Sequence, residues 1–367
     1  MKRTPLYEAH AASNAKLVDF AGWDMPIQYS GVVDECQAVR NAAGLFDVSH
    51  MGRIEIIGSD SLAFLQRITT NDVAQITVRQ SHYSMICNRQ GGIKDDIFIY
   101  RLEADRFLLC VNASNHAKIV DWLREHVASQ QGCAITDRSA DLAQLALQGP
   151  AARSILETLQ VRDLDSLKPR HCLDADLLGA HCLITRTGYT GEQGYELYIP
   201  AERALPIWNE LLSRGKTLGL KPAGLGARDL LRLEMGYLLY GNDITEETTP
   251  LEAGAAWVVD FQKCDFIGRD RLKQQRDRGV TRRLVAFELL QKAVPRHGFK
   301  ILSDGLSDGK DIGEVTSGNL SPILQKGIGL GYVPAESATI GTRLAIDIRG
   351  KTVPAAIVKP PFYKRKA

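Results

Sequence analysis

Apolar residues recur along the chain at two spacings. Repeats of three and four predict short amphipathic helices. One covers 34–43 and stops at Gly44. A second covers 60–68 behind a Ser59 cap, with Leu62, Phe64, Leu65 and Ile68 inward. A third follows Ser114 as N-cap and turns Ile119, Val120, Leu123 and Val127 to the core. Pro150 opens a fourth over 151–159. A fifth buries Leu205, Trp208, Leu211 and Leu212 and stops at Gly215. Alternation predicts strands over 97–102 and 107–112, antiparallel around a turn at 103–106, and over 195–199. Beyond Gly279 only alternating stretches remain: 281–290, 342–348, and 351–358 after an Arg349-Gly350 turn. No βαβ unit repeats. The pattern predicts an α+β protein whose residues 281–367 form a separate, mostly antiparallel, barrel-like β-domain. The basic run 269–278 reads as a connecting helix with a solvated face.

The 367 residues suffice for two or three domains, and 44% apolar with 24% charged residues is an ordinary globular balance. Lys and Arg exceed Asp and Glu by 45 − 43 = 2, which gives no electrostatic footprint for nucleic acid. The seven cysteines are odd in number and contain no Cys-x-x-Cys pair, so neither a disulfide framework nor a zinc site is expected, and a reducing compartment is. No metal site is expected elsewhere. The first residues, Met1-Lys2-Arg3-Thr4-Pro5, lead into no apolar segment of the secretory kind, and no run approaches a membrane span. A cytoplasmic protein without membrane or nucleic-acid partners is expected. The last cluster of cations lies at 359–366 and reads as a solvated terminus or as a contact for an anionic partner.

Three segments carry candidate chemistry. In Gly91-Gly92-Ile93-Lys94-Asp95-Asp96 a glycine turn feeds a strand. Strand alternation sends Asp95 and Asp96 to opposite faces, so one can face solvent or a turn amide while the other enters a cleft. There a carboxylate can handle a proton or steady a developing cation. The plain alternative is that both acids cap the turn. In Thr187-Gly188-Tyr189-Thr190-Gly191-Glu192-Gln193-Gly194-Tyr195-Glu196 the glycines permit close backbone approach to a ligand. Glu196 shares a strand face with Tyr198, opposite Tyr195, Leu197 and Ile199, and can accept paired hydrogen bonds from a flat donor edge. The plain alternative is an exposed hairpin. Gly224-Leu225-Gly226-Ala227-Arg228-Asp229 fails as a dinucleotide fingerprint, because Asp229 replaces the last glycine and the preceding Lys221-Pro222-Ala223 do not read as a strand core. It reads instead as a loop feeding a helix over 227–235. Arg228 in its first turn calls for an acceptor, either a ligand or a neighbouring carboxylate. Ser49-His50 lacks a nucleophile elbow, and His50 reads as a hydrogen-bonded structural histidine.

Taken together, these segments resemble the aminomethyltransferase (T-protein) family of the glycine cleavage system. The likeness also includes Asp19-Phe20-Ala21-Gly22-Trp23, Asp47-Val48-Ser49-His50-Met51-Gly52 and Thr70-Asn71-Asp72. Leu239-Tyr240-Gly241-Asn242-Asp243, Gly313-Glu314-Val315-Thr316-Ser317-Gly318 and Lys359-Pro360-Pro361-Phe362-Tyr363 complete it, so that it spans the chain. The resemblance implies a three-lobed folate-binding fold: lobes of about 1–50 with 140–280 and of 51–139 within a 1–280 region, and a barrel over 281–367. It implies tetrahydrofolate as co-substrate and the lipoylated H-protein, with other glycine cleavage components, as partners. By the same resemblance Asp96 lies beside the reacting folate nitrogens, Glu196 and Arg228 hold the pterin, and Tyr83, Asn112, Tyr189 and Tyr237 line the cavity. The Gly91-Gly92 flank is expected to give the ligand room. Arg89-Gln90 departs from the family's usual Glu at the first of these positions, outside the inferred chemistry.

Two other readings use the same fold. A folate-dependent demethylase would take a methyl or methylene group from another donor. A folate-binding iron–sulfur assembly relative would carry a cysteine-bearing glycine motif, which the sequence lacks.

Overall fold

The computed structural model describes residues 1–127, 132–303 and 309–365. Its chain divides into two compact units, one of 1–68, 72–84 and 96–229, the other of 69–71, 85–95 and 230–367.

The first unit contains a six-stranded sheet ordered Cys172–Leu177, Ala180–Thr185, Gly194–Pro200, Leu142–Gln148, Ala43–Asp47, Leu220–Pro222. All its neighbours are antiparallel except the last pair. One face buries Leu145, Leu147, Tyr195, Leu197 and Ile199 against Ile155 and Leu156 of the helix Ala152–Thr158 and Ile207, Trp208 and Leu211 of the helix Ala204–Gly215. Each such side chain contributes about 1.5–3 kcal/mol by leaving water. The other face presents Tyr198 to Tyr100, Leu108 and Cys110, which belong to a second sheet that includes 96–101, Arg106–Val111, Gly52–Ile57 and Ala134–Asp137. Tyr195 and Tyr198 thus divide between two faces as alternation requires.

The second unit closes an antiparallel barrel in the order Arg282–Leu289, Lys326–Pro334, Asp311–Ser321, Lys300–Ser303, Arg343–Ile348, Lys351–Val358. Phe287, Ile301, Val315, Leu344, Ile346 and Val353 fill it. The barrel and the mixed sheets agree with the α+β reading. The basic helix Arg269–Arg278 buries Leu272, exposes Arg271, Lys273, Arg276 and Arg278, and turns the half-buried Arg269 to the Phe261 carbonyl. A buried ion pair, Arg232–Asp243 at 2.6 Å, ties the 237–243 turn to the barrel, because Arg232 also donates to Ser317 and Thr316 donates to Asp243.

Several local expectations are corrected. The first predicted helix is Val32–Asn41, and Gly44 lies inside a strand, where a Cβ would come within 2.4 Å of Val39. The helix after Ser114 starts at His116 behind a 3₁₀ turn, and His126 is buried while Val127 is half-buried. Leu205 is 42% exposed, and Ala204 and Ile207 take the inward positions beside the expected Trp208 and Leu211. In the basic tail Tyr363 is buried and donates its N–H to the Glu234 carbonyl, so the segment is anchored as far as that residue. Lys366 lies outside the described residues. Cys36, Cys87, Cys110, Cys172 and Cys182 are buried thiols outside any disulfide, and burial pushes Cys87 up to about 12. No helix among the described residues is long and apolar enough to cross a membrane.

Candidate active site

Asp96 sits on the strand Ile93–Arg101. The turn before it is capped by Asn88, whose Oδ1 accepts from the Gln90 and Gly92 amides at 2.9 Å each. The acids are therefore not needed as caps. Asp95 is fully buried rather than facing solvent, and Asp96 is half-buried on the other face. Nor do the two glycines leave space. A Cβ on Gly92 would lie 1.8 Å from the Glu246 carbonyl, and one on Gly91 would lie 3.0 Å from Leu272. Backbone packing requires the glycine at 92, and a φ of 86° favours it at 91.

Three of the predicted residues meet at Asp96. Tyr83 donates its hydroxyl to Oδ2 at 2.8 Å, and Asn112 donates Nδ2 to Oδ1 at 2.8 Å and to the Asp96 carbonyl at 3.0 Å. The carboxylate is thereby held in one orientation by one donor on each oxygen.

Alternation carries the same strand face through Phe98 to Tyr100, about 13 Å from Asp96 at strand rise. Tyr83 packs on Phe98 at 5.8 Å between ring centroids and Phe98 stacks on Tyr100 at 6.1 Å. The Tyr100 hydroxyl reaches Glu196 Oε2 at 3.3 Å. Glu196 also accepts from Thr187 at 2.5 Å and is 8% exposed. The exposed-hairpin alternative for Glu196 is thus excluded. Burial, with the Glu196 charge, pushes the Tyr100 hydroxyl well above its ordinary range, so it remains a donor.

The glycine-rich loop is fixed from behind. Gln148 donates to the carbonyls of Thr187 and Tyr195 and accepts from Thr190, while Arg40 donates to the Thr190 carbonyl and pairs with Glu192 at 2.8 Å. A Cβ on Gly188 or Gly194 would strike the Gln148 amide. Those glycines make room for Gln148, not for a ligand.

Arg228 lies near the start of the helix Leu225–Glu234 and is half-buried. Its guanidinium stands 4.7 Å from the centroid of the Tyr189 ring. Glu35, fully buried, sets this helix by accepting from the Gly224 amide at 2.9 Å and from the Tyr29 amide. Tyr237 belongs to the second unit, is 39% exposed, and gives its carbonyl to Arg232.

His50 departs from expectation. It is buried, but its Nδ1 has no hydrogen-bond partner. Burial pushes it down to about 3 against the pull of Asp47, and the Arg228 and Arg53 charges add to the fall. It is a neutral imidazole. Arg53 fixes the turn around it, donating to the carbonyls of Ser49, Met51, Ser139 and Leu142.

The sequence reading missed Phe98, Tyr100, Gln144 and Thr187. The first two follow from continuing the alternation from Asp96. Gln144 and Thr187 become visible only when strand register sets Gln144 opposite Tyr198 and Thr185 opposite Glu196.

Residues 6–263 match the GCVT N-terminal domain, and residues 282–364 match the glycine cleavage T-protein C-terminal barrel domain. The chain belongs to the glycine cleavage T-protein family. An aminomethyltransferase of Halothermothrix orenii is 48% identical over 362 residues, 99% of this chain and 100% of that one. An aminomethyltransferase of Bacillus subtilis is 45% identical, with all of both chains covered. The crystal structure of glycine cleavage system aminomethyltransferase T from Bartonella henselae superposes with a TM-score of 0.92 at 34% identity, covering 100% of this chain and 99% of that one. In this T-protein family member the barrel domain coincides with the six-stranded barrel of the second unit.

Proposed function

We propose that this chain is the aminomethyltransferase of a glycine cleavage system. It takes the one-carbon unit from the aminomethyl-dihydrolipoyl arm of the H-protein and passes it to tetrahydrofolate, in the cytoplasm. The products are 5,10-methylenetetrahydrofolate, ammonia and the dihydrolipoyl arm. Full-length similarity to aminomethyltransferases supports the activity. The observation that carries the site is the strand face that starts at a carboxylate clamped by Tyr83 and Asn112 and ends at Tyr100, whose hydroxyl meets the buried Glu196 of the facing sheet.

In this reading Asp96 is the catalytic group. Cleavage of the aminomethyl C–S bond returns the electron pair to the lipoyl sulfur and leaves an iminium-like carbon. The folate nitrogens add to that carbon in turn, ammonia leaves, and their protons must be taken up. A fixed carboxylate favours the developing positive charge and can accept a nitrogen proton. Tyr83 and Asn112 hold it for that task, so that little reorganisation is needed at the moment of reaction. Glu196 accepts from the amino-pyrimidinone edge of the pterin, and Arg228, steadied over Tyr189, meets a ligand acceptor. For Tyr237 as a folate contact the family resemblance is the only support.

The test is product release. Aminomethylated H-protein plus tetrahydrofolate should yield ammonia and methylenetetrahydrofolate in equal amounts. No ammonia from that donor, with turnover of an N-methyl or thioether donor instead, would replace this reading with a demethylase.

A further inference from the structure

Around Glu196 a set of hydroxyls converges on the carboxylate, and two of them, Tyr100 and Thr187, also lie 3.2 Å from each other. Gln144 Nε2 donates to the Tyr198 hydroxyl at 3.2 Å, Tyr198 donates to Tyr100 at 3.3 Å, and Tyr100 donates to Glu196 Oε2 at 3.3 Å. From the other side Thr185 Oγ1 lies 2.6 Å from Thr187 Oγ1, which donates to the same Oε2 at 2.5 Å. Thr187 has a single proton, so Thr185, which also lies 3.4 Å from the Glu196 carbonyl, donates toward Thr187 across the shorter contact. Thr185, Tyr100, Tyr198 and Gln144 are each at most 2% exposed, so no solvent competes for these bonds. A carboxylate oxygen has two lone-pair directions, and Thr187 and Tyr100 both approach Oε2. Among the described residues Oε1 meets Gln144 Nε2 alone, at 3.5 Å, the limit of a hydrogen bond.

We propose that Thr187 and Tyr100 are positioning residues for tetrahydrofolate. By occupying Oε2 they turn Oε1 toward the ligand as the acceptor for the amino edge of the pterin. The proposal rests on the reading of Glu196 as a pterin acceptor. It refines the expectation of paired bonds to both oxygens: the ligand's donors converge on one. Specificity follows, because a ligand without that amino group leaves Oε1 buried and unpaired.

Titration calorimetry of the whole chain with tetrahydrofolate, kept anaerobic, tests this. In Thr187→Val, which removes the hydroxyl at nearly constant volume, affinity should fall about tenfold, the size of one charge-assisted hydrogen bond. KM for tetrahydrofolate should rise with it while kcat stays within about threefold, since the chemistry lies at the other end of the strand face. Thr187→Ser should restore binding. A 2-desamino-2-methyl analogue should bind the native chain at least about tenfold more weakly than the parent compound, and that gap should narrow in Thr187→Val. If Thr187→Val does not fold, Tyr100→Phe carries the same test. Native affinity in the variant, with Glu196→Gln clearly weakened, overturns the positioning role alone. Native affinity in Glu196→Gln as well removes Glu196 from the site, and the proposal falls with it.

Discussion

Replacing Asp96 by asparagine removes a charge while keeping a shape. The substituted side chain can still accept from Asn112 through its amide oxygen. Its NH₂ can donate to Tyr83, whose hydroxyl needs only to rotate. Two charge-assisted hydrogen bonds become neutral ones, so stability should change by no more than about 2 kcal/mol, and less because the site is half-buried. The rate should respond far more. A unit negative charge about 4 Å from a developing cation contributes about 4 kcal/mol at an effective dielectric of 20, which is about a thousandfold in rate. Single-turnover formation of methylenetetrahydrofolate should therefore slow by two to three orders of magnitude, while tetrahydrofolate binds within about threefold of native. The fully buried Asp95 makes the control. Asp95→Asn should lower the melting temperature more than it lowers the rate constant of the folded fraction. If Asp96→Asn keeps more than about a tenth of native kcat, or if Asp95→Asn folds normally and is the inactive variant, the assignment of the facing acid is wrong.

Arg228→Ala should weaken tetrahydrofolate binding by about tenfold or more, one charged hydrogen bond, and calorimetry showing native affinity would remove it from the site. The neutral buried His50 sets a pH window. Its folded value of about 3 lies below the unfolded value near 6.5, so its contribution is full above about 6.5 and fades as pH falls toward 3. Stability in that window should drop by up to about 1.4 kcal/mol per pH unit, and His50→Gln should flatten the slope seen in urea melts; an unchanged slope refutes the neutral imidazole. Asp47 acts lower on the scale. Burial alone would raise it, yet hydrogen bonds from His10, Ser49 and Thr4 hold it at about 2, so its stabilisation is lost between about pH 4 and 2. Arg232→Met leaves Asp243 buried and unpaired and should cost about 3–5 kcal/mol; a loss below about 1 kcal/mol by chemical denaturation would show that water reaches the pair.

Periodicity by itself determined much of this protein. The alternating stretches beyond Gly279 lie in the barrel, because a strand's two faces differ in environment and its sequence records that difference locally. The same rule divided Tyr195, Leu197 and Ile199 from Glu196 and Tyr198, and separated Asp95 from Asp96. The family likeness pointed to Asp96, Tyr83 and Asn112, and the fold brings these three into contact. What the sequence could not carry was register. Besides the nearby Thr187, the partners of Glu196 come from strands 52 and 96 residues away, and no local pattern encodes which hydroxyl meets which oxygen. The role of the glycines was misread for a related reason. Gly92, Gly188 and Gly194 suggest an open approach for a ligand, yet each is small because Glu246 or Gln148 already occupies the space. Only long-range packing decides whether a missing side chain leaves a cavity or admits a neighbour, and that decision belongs to the tertiary structure.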